Sequence, residues 1–174
     1  MAHKKHLQIA QLLTKITFCI GVIISFTITK IHAQAVNIEW QQVYGGSSTD
    51  GAYDIDATAD GGYITGGYSY SGISGNKTAT NYGDSDFWVV KTDSVGNIEW
   101  QKSYCASAFE QVDTLSQTAD GGYILGGYSV SGISGNKTEA NVAGSIDLWI
   151  VKIDASGNIT WQNAIGGNGS DYLG

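Results

Sequence analysis

The feature that most constrains this chain is an internal repeat. The 21 residues TADGGYITGGYSYSGISGNKT, from Thr58, recur from Thr118 as TADGGYILGGYSVSGISGNKT with two differences. The motif NIEWQ begins at Asn37 and Asn97, and NITWQ begins at Asn158, so the period is 60 or 61 residues. A repeat of this kind is one supersecondary unit that its neighbours must cover. We therefore divide the chain into a first repeat at 37–96, a second at 97–157 and the start of a third at 158–174.

The first 35 residues differ from the repeats. Three lysines within residues 1–15 precede the apolar run ITFCIGVIISFTI and the small residues AQA at 33–35. Basic, apolar and small segments in this order are typical of a secretory signal peptide, with cleavage after Ala33 or Ala35. The alternative is a retained membrane anchor, but the apolar run is shorter than the roughly 20 residues that span a bilayer. The sequence predicts a secreted or cell-surface protein without a membrane segment after cleavage.

Charge excludes several partners. Removal of the leader leaves five lysines and no arginine against 16 acidic residues, a formal charge of −11. Phosphate binding depends on clustered lysine and arginine, so we expect no nucleic acid partner. Acidic membrane surfaces are disfavoured for the same reason.

The distribution of histidine and cysteine excludes further chemistry. All three histidines lie in the leader, at His3, His6 and His32. The exported part therefore lacks the base of a Ser-His-Asp or Cys-His site and any imidazole ligand for a metal. Its one cysteine, Cys105, is interpreted as a small buried thiol, with a reactive thiol as the alternative. We expect no cofactor and no metal.

Four strand-like segments recur in each repeat. In the first repeat they are NIEWQQVYG, AYDIDAT, GYITGGYSYS and DFWVVKTD. In the second segment, Tyr53 and Ile55 alternate with Asp54 and Asp56, which predicts a half-buried strand. The fourth segment is apolar without alternation, which predicts an inner strand covered on both faces. No segment has helical periodicity, so the fold class is all-β.

Four short strands in each repeated unit predict the four-stranded antiparallel blades of a β-propeller, because such a sheet buries its faces only by stacking on its neighbours. The spacing D-x-x-G-x-x-x-W places an aspartate and a glycine in a turn and a tryptophan on the next strand, between sheets. The positions we expect to serve structure in each repeat are Trp40, Asp60, Trp88, Asp93, Gly96, Trp100, Asp120, Trp149, Asp154, Gly157 and Trp161.

The longer pattern combines W-x-x-x-x-G-G, T-x-D-G-G-Y-I-x-x-G and D-x-W-x-V-K-x-D-x-x-G. It resembles the β-propeller repeats of exported Bacteroidetes proteins, and its tryptophan spacing resembles the docking motif of quinoprotein-type propellers. The resemblance implies export linked to type IX secretion, usually with a C-terminal sorting domain. A closed propeller has about four to eight blades. Two repeats and part of a third therefore predict an incomplete propeller, either a fragment or a two-blade chain that assembles into a ring.

Acidic residues are the candidate metal ligands and catalysts. The cluster of Asp50, Asp54, Asp56 and Asp60 has the spacing D-x-D-x-x-x-D-G, which does not match a calcium loop. Without histidine, the remaining enzyme class is a glycosidase or lyase with a carboxylate pair. The recurring acids are better explained as turn residues, and they are Asp60, Asp86, Asp93, Asp120, Asp147 and Asp154. We predict no catalytic residue, and the alternative is a fragment of a carbohydrate-active enzyme whose active site lies in other blades.

Binding is the remaining function class. The long polar loops SGISGNKTATNYGDS and SGISGNKTEANVAGS lie on one rim and follow tyrosine-rich strands. Aromatic rings beside amides are suited to sugars, although packing between sheets is the alternative for the tyrosines. The candidate ligand-binding residues are Tyr68, Tyr70, Asn76, Lys77, Tyr128, Asn136 and Lys137. We expect a scaffold for an extracellular glycan or protein, with further blades or a second copy as the other partners.

Overall fold

The computed structural model describes residues 37–173, which form eight strands and no helix. The strands are β1 (Asp50–Ala57), β2 (Tyr63–Ser69), β3 (Asp86–Thr92), β4 (Ile98–Tyr104), β5 (Glu110–Gln117), β6 (Tyr123–Ser129), β7 (Asp147–Ile153) and β8 (Ile159–Ile165). They form two antiparallel sheets, sheet 1 in the order β1-β2-β3-β4 and sheet 2 in the order β5-β6-β7-β8. The all-β class is confirmed. The predicted signal peptide lies outside the described residues, within which no helix could cross a membrane.

The two sheets have equivalent registers. Each has a bulge in its first strand, between Ala52 and Asp54 in β1 and between Val112 and Thr114 in β5. The turns are also equivalent, since Gly61 and its counterpart Gly121 have φ of 86° and 80°. This left-handed conformation strains any residue with a Cβ, so glycine after the turn aspartate is required in both repeats.

The second NIEWQ segment, in β4, is the last strand of sheet 1, whereas the sequence predicted it to be the first strand of the second repeat's sheet. β4 pairs with β3, so it closes the sheet begun by the preceding repeat and does not open a new sheet. The equivalent segment of the first repeat, residues 37–46, forms no strand, and that prediction was wrong. A strand needs a hydrogen-bonded neighbour, and no described strand precedes residue 37. Each sheet thus combines three strands of one repeat with the first strand-like segment of the next.

The core lies between the sheets. The ring of Phe87 from β3 packs on that of Trp149 from β7, with centroids 4.7 Å apart and both side chains fully buried. Leu115 from β5 packs over Gly66, where a Cβ would lie 2.7 Å from the Leu115 Cδ2 atom. Glycine at 66 therefore lets the sheets approach closely. Burial of each large apolar side chain contributes about 1.5–3 kcal/mol.

β1 alternates as predicted, but its acidic face is the one turned towards sheet 2. Tyr53 and Ile55 are 57% and 63% exposed, whereas Asp54 and Asp56 are half-buried. The Asp54 Oδ2 atom accepts a hydrogen bond of 2.8 Å from the backbone N–H of Leu115, and Asp56 accepts one of 3.3 Å from that of Gln117. These carboxylates satisfy N–H groups on the free edge of β5.

Other structural predictions are confirmed for β3, Trp100 and the turn after β3, whereas Trp161 on β8 is 45% exposed and does not lie between the two sheets. All seven residues of β3 are buried, as expected for an inner strand. Trp100 from β4 contacts Tyr123 of sheet 2, with ring centroids 6.1 Å apart, so this tryptophan does lie between sheets. In the turn between β3 and β4, Asp93 accepts a hydrogen bond of 2.8 Å from the backbone N–H of Asn97, and Gly96 has φ of 83°.

Candidate ligand-binding surface

The candidate residues from the sequence separate into two groups in the structure. The three tyrosines lie near one another, close to the joint between the two sheets. The four asparagines and lysines are engaged in hydrogen bonds within the protein. The two lysines are buried and the two asparagines are exposed, but only the tyrosines belong to a cluster of aromatic rings that a ligand could contact.

The loop lysines are buried. Lys77 and Lys137 are each 1% exposed. The Lys77 ammonium donates a 2.6 Å hydrogen bond to the backbone carbonyl of Ala79 and lies 5.8 Å from the ring centroid of Trp88. Lys137 lies 5.9 Å from the ring of Trp149. Burial lowers the pKa of both lysines. They fix the loops over the tryptophan rings and do not reach solvent.

The loop asparagines fix the chain that enters each first strand. Asn76 accepts a 2.8 Å hydrogen bond from the backbone N–H of Gly45 and donates one of 2.7 Å to the carbonyl of Val43. Asn136 makes the equivalent bonds to Cys105 and Ser103. Their amide groups are therefore occupied by backbone, and a sugar hydroxyl would have to compete with these bonds.

Six aromatic rings form a continuous line that we call the aromatic row. Neighbouring ring centroids are 5.9 Å apart for Tyr53 and Tyr68, 5.7 Å for Tyr68 and Tyr70, 6.1 Å for Tyr70 and Phe109, 5.7 Å for Phe109 and Tyr128, and 5.2 Å for Tyr128 and Tyr172. Aromatic pairs attract each other at these separations. The row runs from β1 and β2 of sheet 1, across the joint, to β6 and the segment after β8.

The row is open to solvent at three of its members. Tyr53 is 57% exposed, Tyr70 40% and Tyr172 55%. Phe109 is half-buried in the middle and contacts rings of both sheets. Burial raises the pKa of Tyr128 above its ordinary value of about 10, so this phenol stays neutral.

Local features of β1 and β2 position the start of the row. Gly51 lies opposite Tyr68, and a Cβ at Gly51 would lie 2.6 Å from the Tyr68 ring, so glycine lets this ring lie across β1, whereas Gln111 lies opposite Tyr128 in sheet 2. Tyr53 lies within the bulge of β1. The Asp50 carboxylate accepts hydrogen bonds from the hydroxyls of Ser69 and Ser71, and these bonds fix the chain on either side of Tyr70.

Sequence analysis did not predict half of the aromatic row. Tyr53, Phe109 and Tyr172 occupy positions where the other repeat has Asp113, Thr49 and Gln111. Repeat analysis favours residues that recur, and these residues do not. The sequence signal that could have identified these residues is an aromatic side chain at a position where the two repeats differ.

Three carboxyl groups are fully buried, namely Asp86, Glu110 and Asp147. The prediction that Asp86 and Asp147 are turn residues was wrong, since both are 0% exposed at strand starts. Burial raises the pKa of Asp86 to about 6, and the charge of Glu110 contributes in the same direction. Burial also raises the pKa of Glu110. Being fully buried, these groups do not face a substrate.

Neither metal ligation nor thiol chemistry is indicated at the joint. Among the residues that the structure describes, no three or more His, Cys, Asp or Glu side chains lie close enough to hold a metal ion. Cys105 is half-buried, and burial raises its pKa to about 11. The thiol therefore stays protonated at neutral pH, where it is a poor nucleophile.

Comparison with models of known protein families gives no match. No curated protein matches the chain in sequence either. The functional argument therefore depends on the geometry described above.

Proposed function

We propose that this chain is an exported, non-catalytic repeat protein of the β-propeller type, and that the aromatic row is its binding surface for an extracellular partner. The observation that carries the proposal is the row itself, six rings in contact with three tyrosines 40% or more exposed. Export is supported by the composition of residues 1–35, and the propeller type by the repeat pattern.

The way the sheets stack supports the propeller type. Two four-stranded sheets of equal register pack face to face through Phe87 and Trp149. The outer face of sheet 1 has a cleft of about 280 Å³ beside Trp88 and Val90. The outer face of sheet 2 has one of about 220 Å³ beside Ile124 and Ile150. Further sheets of the same kind, from more repeats or from another copy, would cover these faces as the two sheets cover each other.

The departure of the row from repeat symmetry supports a binding role. Residues needed only for stacking are expected in both repeats, as Trp88 and Trp149 are. Four of the six row members occur in one repeat only, and three of these, Tyr53, Tyr70 and Tyr172, are 40% or more exposed. Exposed aromatic rings in contact are typical of interaction surfaces.

The test replaces row residues by their counterparts from the other repeat, in the full chain. Phe109→Thr and Tyr70→Val use residues that the same backbone already holds at Thr49 and Val130. Binding partners are selected from arrays of glycans and of extracellular proteins. We expect both variants to lose the binding that the wild-type protein shows.

Val95→Ser is the control, because Val95 is 55% exposed in the turn between β3 and β4. Circular dichroism and the melting temperature establish that all variants fold. The proposal fails if Phe109→Thr and Tyr70→Val bind every array component as well as Val95→Ser does.

A further inference from the structure

Almost all the positive charge of the described chain is buried. Lys77 and Lys137 are 1% exposed, Lys91 is 2% and Lys152 is 8%. Lys91 pairs with Asp60 at 2.9 Å and Glu99 at 2.7 Å, and Lys152 pairs with Asp120 at 3.0 Å. Among residues 37–173, Lys102 is the most exposed lysine, and it is half-buried.

The acidic residues are mostly at the surface. Three are fully buried, namely Asp86, Glu110 and Asp147. Apart from these and the three carboxylates paired with lysine, the others are half-buried or exposed, and they are Glu39, Asp50, Asp54, Asp56, Asp84, Asp93, Asp113, Glu139, Asp154 and Asp171. The solvent-facing surface is therefore almost uniformly negative, which attracts cations and repels anions.

Carboxylates lie near parts of the aromatic row. Asp171 directly precedes Tyr172 in the chain. Asp113 accepts a 2.7 Å hydrogen bond from the side chain of Gln111, which lies opposite Tyr128 in the pairing of β5 with β6. The backbone N–H of Asp84 donates a 3.1 Å hydrogen bond to the carbonyl of Ala108. Because Ala108 directly precedes Phe109, Asp84 lies near the middle of the row.

The rings are better arranged for cations than for sugars. Neighbouring rings in the row are tilted against each other by 22° to 84°, so they do not form one flat surface. The nearby amides that could bind hydroxyls are engaged with backbone. Cations are attracted to ring faces, and the protein already places two of its own lysines over tryptophan rings, at 5.8 and 5.9 Å.

We propose that the aromatic row binds a cationic polypeptide segment of a partner protein, with arginine or lysine side chains against the tyrosine rings and the nearby carboxylates. The inference rests on the proposed function, because it assigns a partner to the same surface. Arginine suits the site better than lysine, since its planar guanidinium stacks on aromatic rings and bonds carboxylates at two points.

The experiment measures fluorescence anisotropy of labelled twelve-residue peptides with the full chain. One peptide alternates arginine with glycine and serine, and matched peptides carry lysine or glutamate instead. Cellohexaose, a neutral oligosaccharide, is tested as an unlabelled ligand by calorimetry. We expect the arginine peptide to bind more tightly than the lysine peptide, the glutamate peptide not to bind, and the affinity to fall as salt is raised.

Variants locate the binding site. Tyr70→Leu and Tyr53→Leu keep apolar area and remove a ring, and each is expected to weaken arginine-peptide binding by about three- to tenfold. Asp113→Asn removes a carboxylate beside Tyr128 and is expected to weaken binding also. Glu139→Gln, the matched loss of one exposed charge outside the row, is expected to leave the affinity nearly unchanged.

Three results would overturn the inference. If Tyr70→Leu and Tyr53→Leu bind the arginine peptide as wild type does, the attraction is a property of the whole acidic surface. If cellohexaose binds in a row-dependent way and the peptide does not, the partner is a glycan and the proposed function stands. If neither probe depends on the row and the array partners do not either, both proposals fail.

Discussion

The two sheets have equivalent strand orders and registers, but their faces are covered to different extents by neighbouring structure. Trp88 and Trp149 occupy equivalent positions in β3 and β7, and each lies under a lysine. Trp149 is 0% exposed because Phe87 packs on it, whereas Trp88 is 6% exposed and lies beside the cleft of about 280 Å³. Equivalent sequence therefore gives equivalent strands, but the completeness of the packing depends on the neighbouring sheet.

The buried polar groups of the two repeats also differ in how completely they are hydrogen-bonded. In the second repeat the Lys137 ammonium donates to Ser131 O at 3.1 Å and to Asn141 Oδ1 at 2.9 Å. In the first repeat the counterpart of this acceptor, Asn81 Oδ1, is buried without a partner. The second loop is one residue longer, and Ala143 in it has φ of 52°, a strained value for a residue with a Cβ. The longer loop thus completes a hydrogen-bond network that the shorter loop leaves open.

The largest difference is expected between the two tryptophans. Trp149→Ala removes a side chain enclosed by both sheets and should lower the free energy of unfolding by about 3–5 kcal/mol. Trp88→Ala should cost about 1–2 kcal/mol less, because the cleft beside it already leaves part of its surroundings unpacked. Urea unfolding followed by circular dichroism measures both values. Equal losses would show that the outer face of sheet 1 is as well packed as the joint.

The buried lysines give the next comparison. Lys137→Met leaves several carbonyl and amide oxygens without a donor, and we expect a loss of about 2–3 kcal/mol. Lys77→Met removes fewer hydrogen bonds, so the expected loss is about 1 kcal/mol. Thermal unfolding of the two variants at one pH measures the difference. A larger loss for Lys77→Met would contradict the hydrogen-bond assignment.

The buried carboxyl group of Asp86 gives a comparison through the pH dependence of stability. The raised pKa of Asp86, about 6, means that between about pH 4 and 6 the folded chain binds this proton more tightly than the unfolded chain. Unfolding then releases a proton, so the free energy of unfolding falls as pH rises through this window, by on the order of 2 kcal/mol. Asp86→Asn should reduce this decrease in the free energy of unfolding and stabilise the protein at pH 7.

Asp147→Asn is the matched control for this pH prediction. The Asp147 Oδ1 atom accepts a 2.9 Å hydrogen bond from the Ser145 hydroxyl, whereas Asp86 Oδ1 has no partner. We expect Asp147→Asn to lose stability at pH 7. Glu110, whose pKa is also raised, should leave a residual fall with pH in Asp86→Asn. Unfolding curves at pH 4, 5, 6 and 7 provide the measurement, and an unchanged slope in Asp86→Asn would refute the assignment.

The smallest expected effect on stability is that of replacing Phe109, which lies in the middle of the aromatic row between the two sheets. Phe109→Thr places the first repeat's residue in the second repeat and removes contacts with Tyr68 and Tyr128. Because Phe109 is half-buried, we expect a loss of about 1 kcal/mol. Chemical denaturation measures the loss, and NMR shifts of the two tyrosine rings report whether the row is divided. Unmoved tyrosine resonances would show that Phe109 does not link the rings.

Much of the fold could be predicted because turn chemistry and periodicity are local. The Asp60–Gly61 turn, the alternation of β1 and the continuous apolar run of β3 depend on neighbouring residues, and the structure contains all three. The candidate site was less predictable. Lys77 is indistinguishable in sequence from an exposed loop residue, and its burial beside Trp88 depends on the tertiary fold. The amide of Asn76 is hydrogen-bonded to the chain before β1, 31 positions away at Gly45.

The sequence by itself determined the repeat, the strands, the turns and the acidic balance, because these follow from residue type and short-range spacing. Only the tertiary structure decided which face of β1 meets the next sheet, which strand closes each sheet, and where the lysines and buried carboxyl groups lie. It also brought Tyr53, Phe109 and Tyr172 into one row with the tyrosines of the repeat. Contacts between sheets join residues about sixty positions apart, and no local pattern encodes which of them meet.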